Sequence, residues 1–522
     1  MRVWWKFAGV ASAITLVTHV AAASAAPPSS TPIEHVVVIF QENVSFDHYF
    51  GTYPVAANND PSEPPFFAEP GTPAVNGLTG TLLTNNPNGV NPFRLTRGQA
   101  PSCDQDHNYT DEQIAFDFGL MDNFLALVPH QFCSNLDVNV PNEIMGYFDG
   151  NTVTALWNYA QRFAMNDNSF GTTFGPSTPG ALNLIAGNTF GANSGLNTTP
   201  HNKAAVAGDI AGGSTIADPQ PSDDVCTTRD SVFYTSNSPN IGDLLSAAGK
   251  SWGWFMGGFD LTITNANGTT GCKRSTTSAV TGVTKGDYIP HHQPFQYFAS
   301  TRNPGHLRPN GVSSIGFDDP ANHQYDIHDF FDATAAGNMP QVAFLKAPGY
   351  QDGHAQYSDP LDEQMFLVDT INFLMQRPEW RSTAVLILYD DSDGWYDHQM
   401  GPIVHHSQTS ADTLSGTGVC GSMAPADGEQ GRCGYGPRMP FLVVSPFAKR
   451  NFVDHTTTDQ SSVTRFIEDN FGLGQIGGGS SDAYAGSLLN MFDFSQEPNK
   501  GNDVLLLDDQ TGKPLTGHHA AI

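Results

Sequence analysis

The feature that most constrains the fold is Ile33–Phe40 (IEHVVVIF), an apolar, β-branched run with no polar alternation after His35. A strand with one wet face would alternate, so such a run suits a strand covered on both faces, as in a parallel sheet. Similar runs recur at Val342–Lys346, Ala384–Tyr389 and Phe441–Val444. Helical patterns fall at Ile241–Ala248, Tyr325–Ala336, Met365–Gln376 and Val463–Asn470. Strands interleaved with helices predict an α/β fold, a central mainly parallel sheet flanked by helices. Charged residues make up only 14% of the 522, against about 25% in a typical domain. Gly, Pro, Asn, Ser and Thr fill the difference, which means long loops. Residues 54–101, 188–230, 262–285 and 401–436 read as loop-rich insertions in a single domain spanning 27–522.

Acidic residues outnumber basic ones 52 to 23, for a net charge of −29. That excludes nucleic acid or anionic membrane held by a general basic surface, and confines any phosphate to a local pocket. Residues 1–26 read as a secretory leader: Arg2 and Lys6, an apolar stretch from Phe7 to Val20, and an Ala23-Ser24-Ala25 cleavage site. No later segment is long and apolar enough to span a bilayer, so a secreted or periplasmic protein is expected. The six cysteines then suggest disulfides. Sequence proximity favours Cys103–Cys133, Cys226–Cys272 and Cys420–Cys433.

Two strands run directly into polar clusters: Gln41-Glu42-Asn43 after the first, and Asp390-Asp391-Ser392-Asp393 after Ala384–Tyr389. Ligands of open α/β sheets bind beyond the carboxyl ends of strands. Glu42, Asn43, Asp390 and Asp391 together would form a hard, oxygen-rich site for one divalent cation, with Ca²⁺, Mg²⁺ or Mn²⁺ favoured. Each cluster alone also fits a turn or a helix cap. Ser177, in Phe174-Gly175-Pro176-Ser177-Thr178-Pro179-Gly180, is the candidate nucleophile. Ser177 or Thr178 would be the N-cap of a helix through Ala181–Ala186, where unpaired N–H groups favour an alkoxide and a bound phosphate. His107, His291, His292, His354 and His398 lie in loops near these motifs.

Taken together, Gln41-Glu42-Asn43-Val44-Ser45-Phe46-Asp47-His48-Tyr49-Phe50-Gly51, the Asp-rich His107 loop, Gly-Pro-Ser177, Pro-His-His292, Gly-His354 and Tyr-Asp390-Asp391 resemble the bacterial acid phosphatase A/phospholipase C family. The resemblance runs from about residue 33 to 447 and implies an alkaline-phosphatase-like fold. It also implies metal coordination by Glu42, Asn43, Asp390, Asp391 and Ser177, with Ser177 as nucleophile. His107, His291, His292 and His354 would hold phosphoryl oxygens or protonate the leaving group. Ser after Gly-Pro, and a chain that ends soon after the last apolar run, favour an acid phosphatase acting on small phosphomonoesters. The alternative is a phospholipase C cleaving phospholipid head groups, and the rival of another class is a secreted metal-binding protein. Protonated histidines would give the phosphatase an acidic optimum.

Overall fold

Eight strands form the main sheet of the computed structural model, which describes residues 29–133, 136, 140–194, 206–207, 211–235, 237–495 and 504–515. In chain order they are β1 (His35–Gln41), β2 (Ala164–Asn166), β3 (Trp252–Met256), β4 (Gln324–Asp326), β5 (Val342–Lys346), β6 (Thr383–Tyr389), β7 (Phe441–Val444) and β8 (Phe452–Asp454). Their spatial order is β4-β3-β5-β1-β6-β7-β2-β8. Every neighbouring pair is parallel except the two that involve β7. The expected α/β sheet is therefore present, and Phe441–Val444 departs from it by running against its neighbours. Its apolar composition reports burial on both faces, which an antiparallel central strand shares. The leader expected at residues 1–26 lies outside the described residues.

Burial explains the central strands. Val36 to Phe40 on β1 and Ala384 to Ile387 on β6 are fully buried, and each Val, Leu, Ile or Phe among them contributes roughly 1.5–3 kcal/mol. Six helices of eight or more residues occur among the described residues: α1 (Tyr109–Phe116), α2 (Thr154–Arg162), α3 (Ser177–Ala186), α4 (Ile327–Ala335), α5 (Pro360–Met375) and α6 (Ser461–Phe471). The helix expected over Tyr325–Ala336 begins later, because Gln324–Asp326 pairs as edge strand β4 and Asp326 then caps α4. Helix α5 starts a turn earlier than its apolar pattern, since Asp359 accepts from the N–H groups of Leu361 and Asp362, and Pro360 needs no partner.

The insertions are more than surface loops. Phe66 and Leu95 from 54–101 are buried in the main core. The 188–230 insertion supplies most of a five-stranded side sheet. Residues 262–285 include most of a hairpin, Ser275–Thr277 against Thr284–Gly286. Three disulfides join Cys103–Cys133, Cys226–Cys272 and Cys420–Cys433, the pairs that proximity favours.

Burial also makes several carboxyl groups hard to ionise. Glu363, hydrogen-bonded by Tyr389 at 2.6 Å and Tyr49 at 3.1 Å, is pushed up to about 8. Glu468, desolvated and beside Asp482, is pushed up to about 9. A carboxyl group whose pKa rises on folding stabilises the fold below its unfolded pKa, and that contribution is lost as pH rises through the folded value. Thermal unfolding midpoints should therefore rise as pH falls from about 9 to about 5. Glu363→Gln should flatten that slope, and an unchanged slope would contradict the assignment.

Candidate active site

Register brings the strand-end clusters together. Gln41 stands opposite Tyr389 across β1 and β6, so Glu42 emerges beside Asp390, while Ile39 stands opposite Leu345, one residue before Lys346 at the end of β5. A one-residue slip would turn these side chains to the other face. Backbone bonds lock the loops that follow: Asp390 N to Gln41 O at 3.2 Å, Val44 N to Asp391 O at 3.0 Å and Glu42 N to Asp352 O at 2.8 Å.

Ser177 lies 2% exposed at the start of α3, and its Oγ donates to Glu42 Oε2 at 3.2 Å. It is the first helical residue rather than the cap, which is the extended Pro176. Gly175 has φ +116°, a value that favours glycine. The helix start offers fewer free donors than the sequence suggests, because Asp218 takes the Thr178 N–H at 2.9 Å and Pro179 has none. A Cβ on Gly180 would lie 2.0 Å from Asp390 O, so only glycine lets α3 sit this close to the Asp390 loop. Glu112 on α1 binds the loops on either side, accepting from Gly175 N at 2.9 Å and Ser392 Oγ at 2.8 Å.

Two imidazoles are anchored through Nδ1, His107 to Gln105 O at 2.8 Å and His354 to Ala355 O at 2.7 Å, which leaves their Nε2 atoms to meet a ligand, while His292 Nδ1 lies 3.0 Å from Glu42 Oε1. His107 Nε2 lies 3.5 Å from Asn43 Nδ2, and the rings of His107 and His354 are 6.1 Å apart. Their charges differ. Burial opposes the charge on His107, but Asp391, Asp104 and Asp393 outweigh it and raise its pKa well above 6.5. Burial, helped by Lys346 at His292 and by Lys285 at His354, holds the other two well below it. Without a bound phosphate, His107 alone of the three is held towards its protonated form. His291 stands apart from the Glu42 cluster: its Nδ1 accepts from Arg229 at 3.2 Å, and burial together with the neighbouring His292 keeps it neutral.

The carboxylates are short of positive charge. Burial raises Asp390, Asp391 and Asp352 well above the usual carboxylate range, and repulsion from Glu42 adds to it. The buried Lys346, whose Nζ contacts Glu42 Oε1 and lies 3.4 Å from Asp390 Oδ2, offsets part of this. Burial opposes its charge, yet Asp390 and Glu42 hold its pKa up to about 12. Asn43 Oδ1 and Asp391 Oδ2 are buried oxygens with no hydrogen-bond donor. Unpartnered hard oxygens in a charge-deficient cluster fit a divalent cation. The groups here whose ligand atoms all lie within 4.8 Å of one another are Glu42-His292-Asp352 and Asp104-His107-His354-Asp393, and neither includes Asp390 or Asp391.

The sequence-derived residues thus converge, with His291 at their edge. Lys346, Asp352, Glu112 and Asp393 were missed. Lys346 left one signal, a lysine ending an otherwise apolar strand of the type that delivers Glu42 and Asp390.

Residues 33–474 match the phosphoesterase family. The chain belongs to that family and is a phosphoric ester hydrolase. It is 26% identical over 491 residues to phospholipase C B of Mycobacterium tuberculosis, covering 91% of this chain and 80% of that protein. Identity is also 26% to the non-hemolytic phospholipase C of Burkholderia pseudomallei (84% of this chain, 55% of that one). It is 24% to the hemolytic phospholipase C of Pseudomonas aeruginosa (92% and 58%). A solved alkaline phosphatase superfamily protein from Vibrio parahaemolyticus aligns with 91% of this chain and 73% of its own at 9% identity, with a TM-score of 0.31, too loose to define the fold.

Proposed function

We propose that this protein is an exported phospholipase C-type esterase that uses Ser177 as its nucleophile. The observation that carries the reading is the Ser177 hydroxyl on Glu42, within a buried oxygen cluster that His292 approaches at Glu42 and His107 at Asn43. Relatives named phospholipase C, aligned over most of the chain, favour the diester reading over the phosphomonoesterase expected from the sequence. Export is supported by the leader-like residues 1–26 and three disulfides.

In this reading Glu42, Asn43, Ser177, Asp390 and Asp391 hold one cation of the Ca²⁺, Mg²⁺ or Mn²⁺ type. Bound there, it supplies positive charge that lowers the serine pKa and neutralises phosphoryl oxygens. Glu42 orients the Ser177 hydroxyl for in-line attack on phosphorus, which forms the serine–phosphorus bond as the bond to the leaving oxygen breaks. Cationic His107 stabilises the equatorial oxygens. His354, neutral with its Nδ1–H on Ala355 O, offers an unprotonated Nε2 that takes the proton of Ser177 or of the incoming water. Cationic His107 gives a proton to the departing oxygen, while His292 lies against Glu42. A second reading, an acid phosphomonoesterase, gains support from the cationic Arg229 and Lys285 near the histidines, which suit a dianion.

Turnover of p-nitrophenylphosphorylcholine and its loss by about three orders of magnitude or more in Ser177→Ala are expected. Hydrolysis of p-nitrophenyl phosphate alone would favour the monoesterase, and activity of the variant within about tenfold of the parent would remove Ser177 from the chemistry.

Asp391→Asn takes one formal charge from the ligand set. Titration calorimetry with Ca²⁺, Mg²⁺ and Mn²⁺ should show about tenfold or greater weakening for the ion that binds the parent protein. Unchanged affinity would exclude Asp391 as a ligand.

A further inference from the structure

The insertions deliver two cations to the site, Arg229 and Lys285, to which the phospholipase C-type chemistry above gives no role. Arg229, at the end of the 188–230 insertion, is exposed and donates through Nη2 to His291 Nδ1 at 3.2 Å; the His291 ring lies 4.4 Å from that of His292. Lys285, on the hairpin strand Thr284–Gly286, sets its Nζ 3.5 Å from the centroid of the Tyr357 ring. Tyr357 also stacks on His354 at 4.5 Å. Neither Arg229 nor Lys285 has a carboxylate within 4.0 Å among the described residues. Each nevertheless acts electrostatically on the site. Both oppose protonation of His291 and His292, Lys285 also acts on His354, Glu42, Asp352 and Asp104, and the two repel each other. The Cys226–Cys272 disulfide fastens together the two insertions that carry them.

Neither cation is closed off by an ion pair beside these histidines, although Asp218 acts on Arg229 and Asp352, Glu42 and Asp104 act on Lys285, so both keep donors to offer a ligand. We infer that Arg229 and Lys285 form a specificity rim that selects phosphoesters whose esterified group carries a further negative charge, a second phosphate or a carboxylate, over those bearing a quaternary ammonium. This deepens the phosphoesterase reading and rests on it. A choline group brought beside the rim meets like charge, and the Tyr357 ring that could receive it by cation–π contact already holds the Lys285 ammonium and stacks on His354. An anionic group in the same place gains charge-assisted hydrogen bonds from guanidinium and ammonium.

The test compares kcat/KM within two soluble pairs, glycerophosphoinositol 4-phosphate against glycerophosphocholine and 3-phosphoglycerate against phosphocholine. The diester pair covers the phospholipase reading and the monoester pair the phosphatase one. In whichever pair is turned over, the anionic member should be preferred by roughly tenfold or more at low salt, with the preference shrinking as ionic strength rises. Arg229→Gln with Lys285→Gln should bring the ratio towards unity, and the charge-keeping pair Arg229→Lys with Lys285→Arg should retain much of it. Equal or better use of the choline esters, or a ratio unmoved in the neutral double variant, would overturn the rim while leaving the esterase intact. Failure to hydrolyse all four would overturn the rim together with the function it refines.

Discussion

Four carboxylates, Glu42, Asp352, Asp390 and Asp391, are buried in and around the ends of adjacent parallel strands, and Lys346 is the one buried lysine set among them. Taking that much negative charge out of water costs several kcal/mol per ion unless it is paired. Most of the surrounding architecture follows from this arrangement. The register of β1 against β5 and β6 brings Glu42, Lys346 and Asp390 together, Gly180 lets α3 close over Asp390, and Glu112 joins the Ser177 loop to the Asp390 loop. The charge that remains is what a divalent cation would meet, so the apparent liability of the cluster is the source of its chemistry.

The parts of this design written locally were legible in the sequence. Apolar runs that never alternate specify strands buried on both faces, and polar residues directly after them specify strand ends, so Glu42, Asn43, Asp390 and Asp391 could be named without coordinates. What depends on three-dimensional surroundings could not. Strand β3 (WGWFM) carries an internal glycine and is mostly aromatic, and β2 has only three residues, too few for a pattern. Strand β7 has the composition of its parallel neighbours because composition records burial and not direction. Ser177 looked like a cap because a hydroxyl before a helix usually is one, whereas here an extended proline takes that position and leaves the hydroxyl for Glu42.

The histidines show the same division. Their positions in loops could be read, but the sign of each pKa shift depends on which carboxylates and cations surround the ring after folding. Three aspartates raise the pKa of His107, while deeper burial, with nearby lysines adding to it, holds His292 and His354 down. The disulfides extend this control into the insertions. Cys103–Cys133 anchors the segment leading to His107, and Cys226–Cys272 joins the segments that carry Arg229 and Lys285. Loops of this length stapled by a disulfide gain on the order of 3–4 kcal/mol in the chain-entropy picture. Loop-rich sequence can therefore still present side chains in fixed places.

The central claim is that Ser177 attacks phosphorus and that water then releases the phosphoryl group from it, two in-line displacements in succession. The most direct test is the stereochemical course at phosphorus, followed with a substrate made chiral there by sulfur and oxygen isotopes. Two displacements predict net retention of configuration. Net inversion would mean a single direct attack by water and would contradict the covalent role of Ser177.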